Sequence, residues 1–185
     1  MRVALADDSA LFRNGLELLL RASGVQVTSQ ASSGDELMAN IVPDPPDAVV
    51  LDLRMPPTYT GEGIETAAAI RAWDPGVGIL VLSTYAEASY AGMLIDAVGH
   101  GVGYLLKDNV TDAGNLVAAL QRIAAGETVI DPAVVRRLLQ RRRISGPSTR
   151  STRANGRCSA GWPRAAPTWA SPRTCSCPRA PSRPT

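Results

Sequence analysis

Val49-Val50-Leu51-Asp52-Leu53-Arg54-Met55-Pro56 is the stretch on which the fold turns. With Asp47 and Ala48 before it, it is a short, unbroken apolar run that ends on a carboxylate. A continuous run of this length, rich in Val and Leu and without polar alternation, is what a strand buried on both faces requires. Its neighbours repeat the pattern. Upstream, residues 3–6 and 25–31 read as strands, with helical spacing over 9–22 and a short helix from Gly34-Asp35 to before Pro43. Ser9 is placed to cap the first of these helices. Downstream, 62–73, 87–98 and 111–125 are helical and 78–82 and 102–106 are strands, with Thr111 or Asp112 at the start of the last helix.

Five strands alternating with five helices predict an α/β fold, a five-stranded parallel sheet that is doubly wound. A further C-terminal helix follows Asp131-Pro132 and ends in Arg141-Arg142-Arg143. Beyond it the composition changes. Residues 144–185 hold seven of the 14 prolines and seven arginines, with no apolar periodicity, and are expected to be disordered. The organisation expected is therefore a domain over 1–126, a linker helix over 127–143 and a Pro/Arg-rich tail over 144–185.

The net charge of +2 describes neither part. All 17 acidic residues lie between Asp7 and Asp131, so residues 1–143 carry 12 basic against 17 acidic groups, a balance of −5. The basic pI is therefore no nucleic-acid signal. No apolar run approaches the roughly 18 residues of a membrane span. The acidic pair Asp7-Asp8 interrupts the N-terminal apolar run too early for a secretory signal. A cytoplasmic location and no membrane partner are expected. Cys158, Cys175 and Cys177 lack the spacing and additional ligands of a metal site.

In open α/β sheets ligands bind beyond the carboxyl ends of the strands. Asp7 and Asp8 follow the first strand, Asp52 the third, Ser83 and Thr84 the fourth, and Lys107 the fifth. Converging carboxylates repel one another, and a hard cation such as Mg²⁺ relieves this with oxygen ligands. A carboxylate can serve as nucleophile toward a phosphoryl group, while a lysine and a hydroxyl stabilise the transferred charge.

Four blocks carry a specific resemblance: Ala4-Leu5-Ala6-Asp7-Asp8-Ser9, the stretch 49–56, Val81-Leu82-Ser83-Thr84-Tyr85 and Gly103-Tyr104-Leu105-Leu106-Lys107-Asp108. Together they resemble the flavodoxin-like receiver domain of two-component response regulators, of the NarL/LuxR-type subgroup, over about residues 1–130. The resemblance implies that Asp52 accepts a phosphoryl group from a sensor histidine kinase. It implies that Asp8 binds Mg²⁺ directly, Asp7 mainly through water, and Arg54 through its backbone carbonyl. Lys107 would contact the phosphoryl group, Ser83 would be the switch hydroxyl and Tyr104 the aromatic that changes rotamer. The fourth helix and fifth strand would mediate homodimerisation. Such a protein is a switch that controls transcription. It is not an enzyme, has no catalytic residue, and dephosphorylates itself slowly at most.

The chain departs from that pattern in places. The loop 56–63 is about two residues longer than usual and flanks Asp52. His100, the single histidine, stands where relatives usually carry Gly, and we read it as a surface loop residue because receivers take phosphate on Asp. The tail offers no helix to present base-reading side chains, so DNA, the partner of intact members, is not expected to be bound by this chain. Back-translated with GC-rich codons and read in a shifted frame, residues 154–185 can encode a peptide similar to the start of the family's DNA-binding domain. A frameshift near 143–148 is the expectation, against a natural basic tail.

Other classes fit less well. An Asp-nucleophile phosphatase needs a second Asp two residues on, where Arg54 stands. A dinucleotide-binding enzyme wants a Gly-rich turn at Asp7-Asp8-Ser9-Ala10. A receiver-like module that binds partners without phosphorylation could discard Asp52 and Lys107, which are both present.

Overall fold

The structure is a computed structural model that describes residues 1–110 and 112–144, the last four by backbone alone. The chain alternates β1 (Arg2–Ala6), α1 (Ala10–Ala22), β2 (Gln26–Ala31), α2 (Gly34–Ile41), β3 (Ala48–Asp52), α3 (Glu62–Trp73), β4 (Gly78–Ser83), α4 (Ala88–Val98) and β5 (Val102–Leu106). A 3₁₀ turn, Lys107–Asn109, leads to α5 (Ala113–Ala124), β6 (Val129–Ile130) and α6 (Pro132–Ile144). The sheet is parallel, in the order β2-β1-β3-β4-β5-β6.

The sheet has six strands, not the five expected. Val129 and Ile130 pair with Gly103 and Tyr104, and two residues are too short for any periodicity to announce. The segment 127–143, expected to be one linker helix, is thus a turn, an edge strand and then α6. Gly126, at φ +90°, makes the turn out of α5 in a region that disfavours side chains with a Cβ. Of the tail expected over 144–185 only Ile144 is described; 145–185 lie outside the described residues.

Every residue of β3 and β4 is buried, because helices cover both faces. Successive side chains feed opposite faces. Ala4, Val49, Leu51, Ile79 and Val81 pack with α2, α3 and α4 through residues such as Leu37, Ile70 and Leu94. Leu5, Val50, Leu80 and Leu82 pack with α1 and α5 through Leu16, Leu20, Leu116 and Leu120. Along α1, Leu11 fits the helical spacing of the apolar residues but is 85% exposed, and the buried positions are Leu16 and Leu20. Ser9 caps α1 by accepting from Phe12 N, and Asp112 caps α5 by accepting from Gly114 N.

Gly63 fixes how α3 meets β3. A Cβ there would lie 2.3 Å from the Asp52 carbonyl oxygen and 2.9 Å from Leu53 Cα, both backbone atoms that cannot swing aside. Gly63→Ala is expected to cost about 3 kcal/mol by overpacking, read as a lowered urea midpoint. An unchanged midpoint would mean that α3 does not bear on the end of β3. Among the described residues no helix is long and apolar enough to cross a membrane.

Candidate functional site

The strand order reverses between β1 and β3, and a crevice opens beyond the carboxyl ends of the strands at such a reversal. The residues picked from the sequence meet there. Asp7 follows β1, Asp52 ends β3 and Lys107 follows β5. Lys107 Nζ lies 2.7 Å from Asp7 Oδ2 and 3.1 Å from Asp52 Oδ1, a link across 100 residues of chain in the first case. Asp7, Asp8 and Asp52 each offer a carboxylate oxygen within 4.8 Å of the others. Asp7 and Asp52 are buried and Asp8 is exposed, so the trio is closed on the protein side and open to solvent on the other.

The electrostatics follow from that placement. Burial pushes the Asp52 carboxyl up to about 6, with the Asp7 and Asp8 charges adding to it and Lys107 opposing it. Burial works against the Lys107 ammonium, yet the hydrogen bond it donates to Asp7 and the Asp52 and Asp7 charges outweigh it and hold its pKa above the ordinary lysine value. Three carboxylates against one ammonium leave a local excess of two negative charges. The donor set is entirely hard oxygen, which suits a divalent cation such as Mg²⁺.

Asp7 is the most firmly held of the three. Its Oδ1 accepts from Ser9 N at 2.9 Å, and its carbonyl accepts from Arg13 Nη1 at 2.5 Å. Phe12 stands under Lys107, with Nζ 4.6 Å from the ring centroid. Neither Phe12 nor Arg13 was singled out from the sequence. Phe12 reads there as an apolar helix position, and no sequence signal marks Arg13.

Ser83 ends β4, one strand from Asp52, and Tyr104 lies in β5, two strands away. Ser83 Oγ donates to the Tyr85 carbonyl at 2.9 Å and accepts from Tyr85 N at 3.2 Å. Tyr104 is fully buried, and its hydroxyl donates to the same carbonyl at 3.3 Å. Burial raises the Tyr104 hydroxyl above the ordinary tyrosine pKa. Thr84, beside Ser83, is exposed. Arg54 has a side-chain role that the sequence did not suggest: it pairs with Glu87 at 2.6 Å and lies 5.6 Å over the Tyr85 ring. The β4–α4 loop is thereby tied to the residue two places after Asp52.

The long loop 56–63 is organised by Glu62, another residue missed because a helix-opening glutamate looks ordinary. Its carboxylate accepts from Thr58 N and Gly61 N, both at 3.0 Å, and from the Thr58 hydroxyl. Burial pushes that carboxyl up, but these hydrogen bonds prevail and bring it to about 2. Tyr90 of α4 donates to the Thr60 carbonyl at 2.7 Å, closing the loop against α4. His100 is exposed and precedes β5, at the opposite end of the sheet from Asp52.

Known proteins give the same architecture. Residues 3–121 match the response regulator receiver domain family, and the chain belongs to it. It is 31% identical over 141 residues to the oxygen regulatory protein NreC of Staphylococcus carnosus, covering 75% of this chain and 62% of that protein. It is 32% identical over 148 residues to a nitrate/nitrite response regulator protein homolog of Haemophilus influenzae, covering 80% of this chain and 68% of that one. A LuxR-family two-component response regulator from an Aurantimonas species superposes with a TM-score of 0.65 at 29% identity, over 77% of this chain and 97% of that one. The chain thus spans roughly two thirds of the length of these curated relatives.

Proposed function

We propose that this chain is a phosphoryl-accepting switch of a two-component system, with Asp52 as the acceptor. The observation that carries this is the placement of Asp52 between a lysine 3.1 Å away and two further carboxylates at a sheet switch point. A carboxylate oxygen of Asp52 attacks the phosphorus of a phosphohistidine on a sensor kinase. A P–O bond forms, the P–N bond breaks, and the imidazole nitrogen keeps the electron pair. Lys107 pairs with the phosphoryl charge as it leaves Asp7, and Ser83 turns its hydroxyl from the Tyr85 carbonyl toward the phosphoryl oxygens.

Asp8, Asp7, Asp52 and the Arg54 carbonyl are the groups that would hold Mg²⁺, which supplies charge neutralisation at the phosphoryl oxygens. Asp7 already carries Lys107 and Ser9 N, which supports a contact through water for it and direct contact for Asp8. The protein is a switch acting in the cytoplasm, not a turnover enzyme. Its receiver occupies residues 1–126, and its kin connect that receiver to transcription. Homodimerisation would use α4 and β5.

Mg²⁺ titration by calorimetry tests the cation site. One Mg²⁺ per chain is expected at pH 7.5, with affinity falling at least tenfold by pH 5 as Asp52 takes up a proton near pH 6. Binding that ignores Asp8→Ala would remove Asp8 from the site.

A further inference from the structure

α6 is held at two points, and each hold ends on a loop that flanks Asp52. At its start, the buried Asp131 caps the helix by accepting from Ala133 N at 2.8 Å. The other oxygen of the same carboxylate accepts from Asn109 Nδ2 at 2.5 Å. Asn109 ends the 3₁₀ turn that begins with Lys107. Farther along, Arg137 Nη1 donates to the Ala86 carbonyl at 3.0 Å. Ala86 sits between Tyr85, whose carbonyl holds the Ser83 and Tyr104 hydroxyls, and Glu87, which pairs with Arg54. Val134, between the two holds, is fully buried, and Leu138, just past the second, packs on the cluster that contains Tyr104, Ala91 and Leu94. Val135 and Leu139 on the outer side stay exposed, so among the described side chains little else fastens the helix.

We infer that α6 is a lever read out by the phosphoryl site, latched by Asp131–Asn109 and Arg137–Ala86 when Asp52 is free and let go when Asp52 is phosphorylated. This rests on the phosphoacceptor role proposed above. The physical link is differential contact. Ser83 cannot serve both the Tyr85 carbonyl and a phosphoryl group, and Lys107 cannot keep Asp7 while facing a dianion. Both latching loops therefore change partners in the phosphorylated state. An element bound to both loops has a different free energy in the two states, which is what coupling requires. With so few buried side chains among its described residues, α6 lies at the low-stability end of the fold and is the element such a change moves.

The test uses the full chain with a small phosphodonor and Mg²⁺, following hydrogen exchange of residues 134–140 and intact mass on the same samples. Phosphorylation is expected to speed exchange there about tenfold, with the amides of α3 unchanged. Arg137→Ala, at an exposed position, is expected to speed exchange in the unphosphorylated chain roughly fivefold, the factor one hydrogen bond carries. By reciprocity it should tighten equilibrium binding of beryllofluoride, a phosphoryl mimic, by a similar factor. Asn109→Ala should do the same at the other latch. A phosphoryl adduct with unchanged exchange over 134–140 overturns the lever and leaves the acceptor role standing. Unchanged beryllofluoride affinity in both variants likewise overturns it. No adduct and no beryllofluoride binding overturn the acceptor role, and the lever with it.

Discussion

Replacing Lys107 by Met is expected to slow phosphoryl acceptance about 100-fold while tightening Mg²⁺ binding. The two effects share one cause. Lys107 is the cation that reaches both Asp7 and Asp52, at 2.7 and 3.1 Å. Transfer to Asp52 brings a dianionic group into a pocket that already holds three carboxylates. A fixed ammonium there lowers the barrier because it is in place before the charge arrives. Methionine keeps the stem over Phe12 but removes the charge. The carboxylates then lose their internal counter-ion and hold a dissolved divalent cation more strongly. Transfer is followed by intact mass after addition of a phosphodonor, and Mg²⁺ affinity by calorimetry. Loss of both transfer and cation binding would mean that Lys107 shapes the pocket rather than balancing its charge.

Asp52→Asn is expected to stabilise the metal-free protein at pH 7 by about 2 kcal/mol, read from urea unfolding. Burial raises the Asp52 carboxyl from 3.8 to about 6. A shift of about two units corresponds to roughly 3 kcal/mol, and water reaching the pocket mouth reduces it. The sign follows from linkage. The folded chain holds the Asp52 proton more tightly than the unfolded chain, so this contribution is fully present below about pH 4. It is lost as pH rises through about 6. Ionised Asp52 is therefore a cost at neutral pH, and asparagine, the neutral isostere, removes it. The difference between the two proteins should shrink toward zero on acidification to pH 4. Saturating Mg²⁺ should stabilise the wild type more than Asp52→Asn. A variant less stable than wild type at pH 7 would show that the Lys107 pairing outweighs the burial of Asp52. A site that carries such a cost is the usual signature of function held against stability.

Much of this site was legible because its residues obey a topological rule. Asp7, Asp8, Asp52, Ser83 and Lys107 each stand where an apolar run ends, and a parallel sheet delivers all such positions to one edge. The buried strands were legible for a related reason: β3 and β4 are apolar throughout and bounded by turns. What escaped depends on contacts between distant segments. β6 is two residues long and exists because β5 offers it an edge. Leu11 fits a helical stripe by spacing, but the direction of the core from α1 leaves it exposed. The grips of Glu62 on Thr58 and of Arg54 on Glu87 are set by where loops come to rest. Asp131 is the sharpest case. In sequence it is the Asp of an ordinary helix-starting Asp-Pro pair, and only the fold brings its second oxygen to Asn109.

Whether Asp52 takes the phosphoryl group is read from intact-mass spectrometry of the full chain after incubation with acetyl phosphate and Mg²⁺. One phosphoryl adduct per chain is expected, mapped to the peptide that contains Asp52, acid-stable and hydroxylamine-labile, and absent from Asp52→Asn. An adduct that persists in Asp52→Asn, or none at all on folded wild-type protein with Mg²⁺ bound, would contradict it.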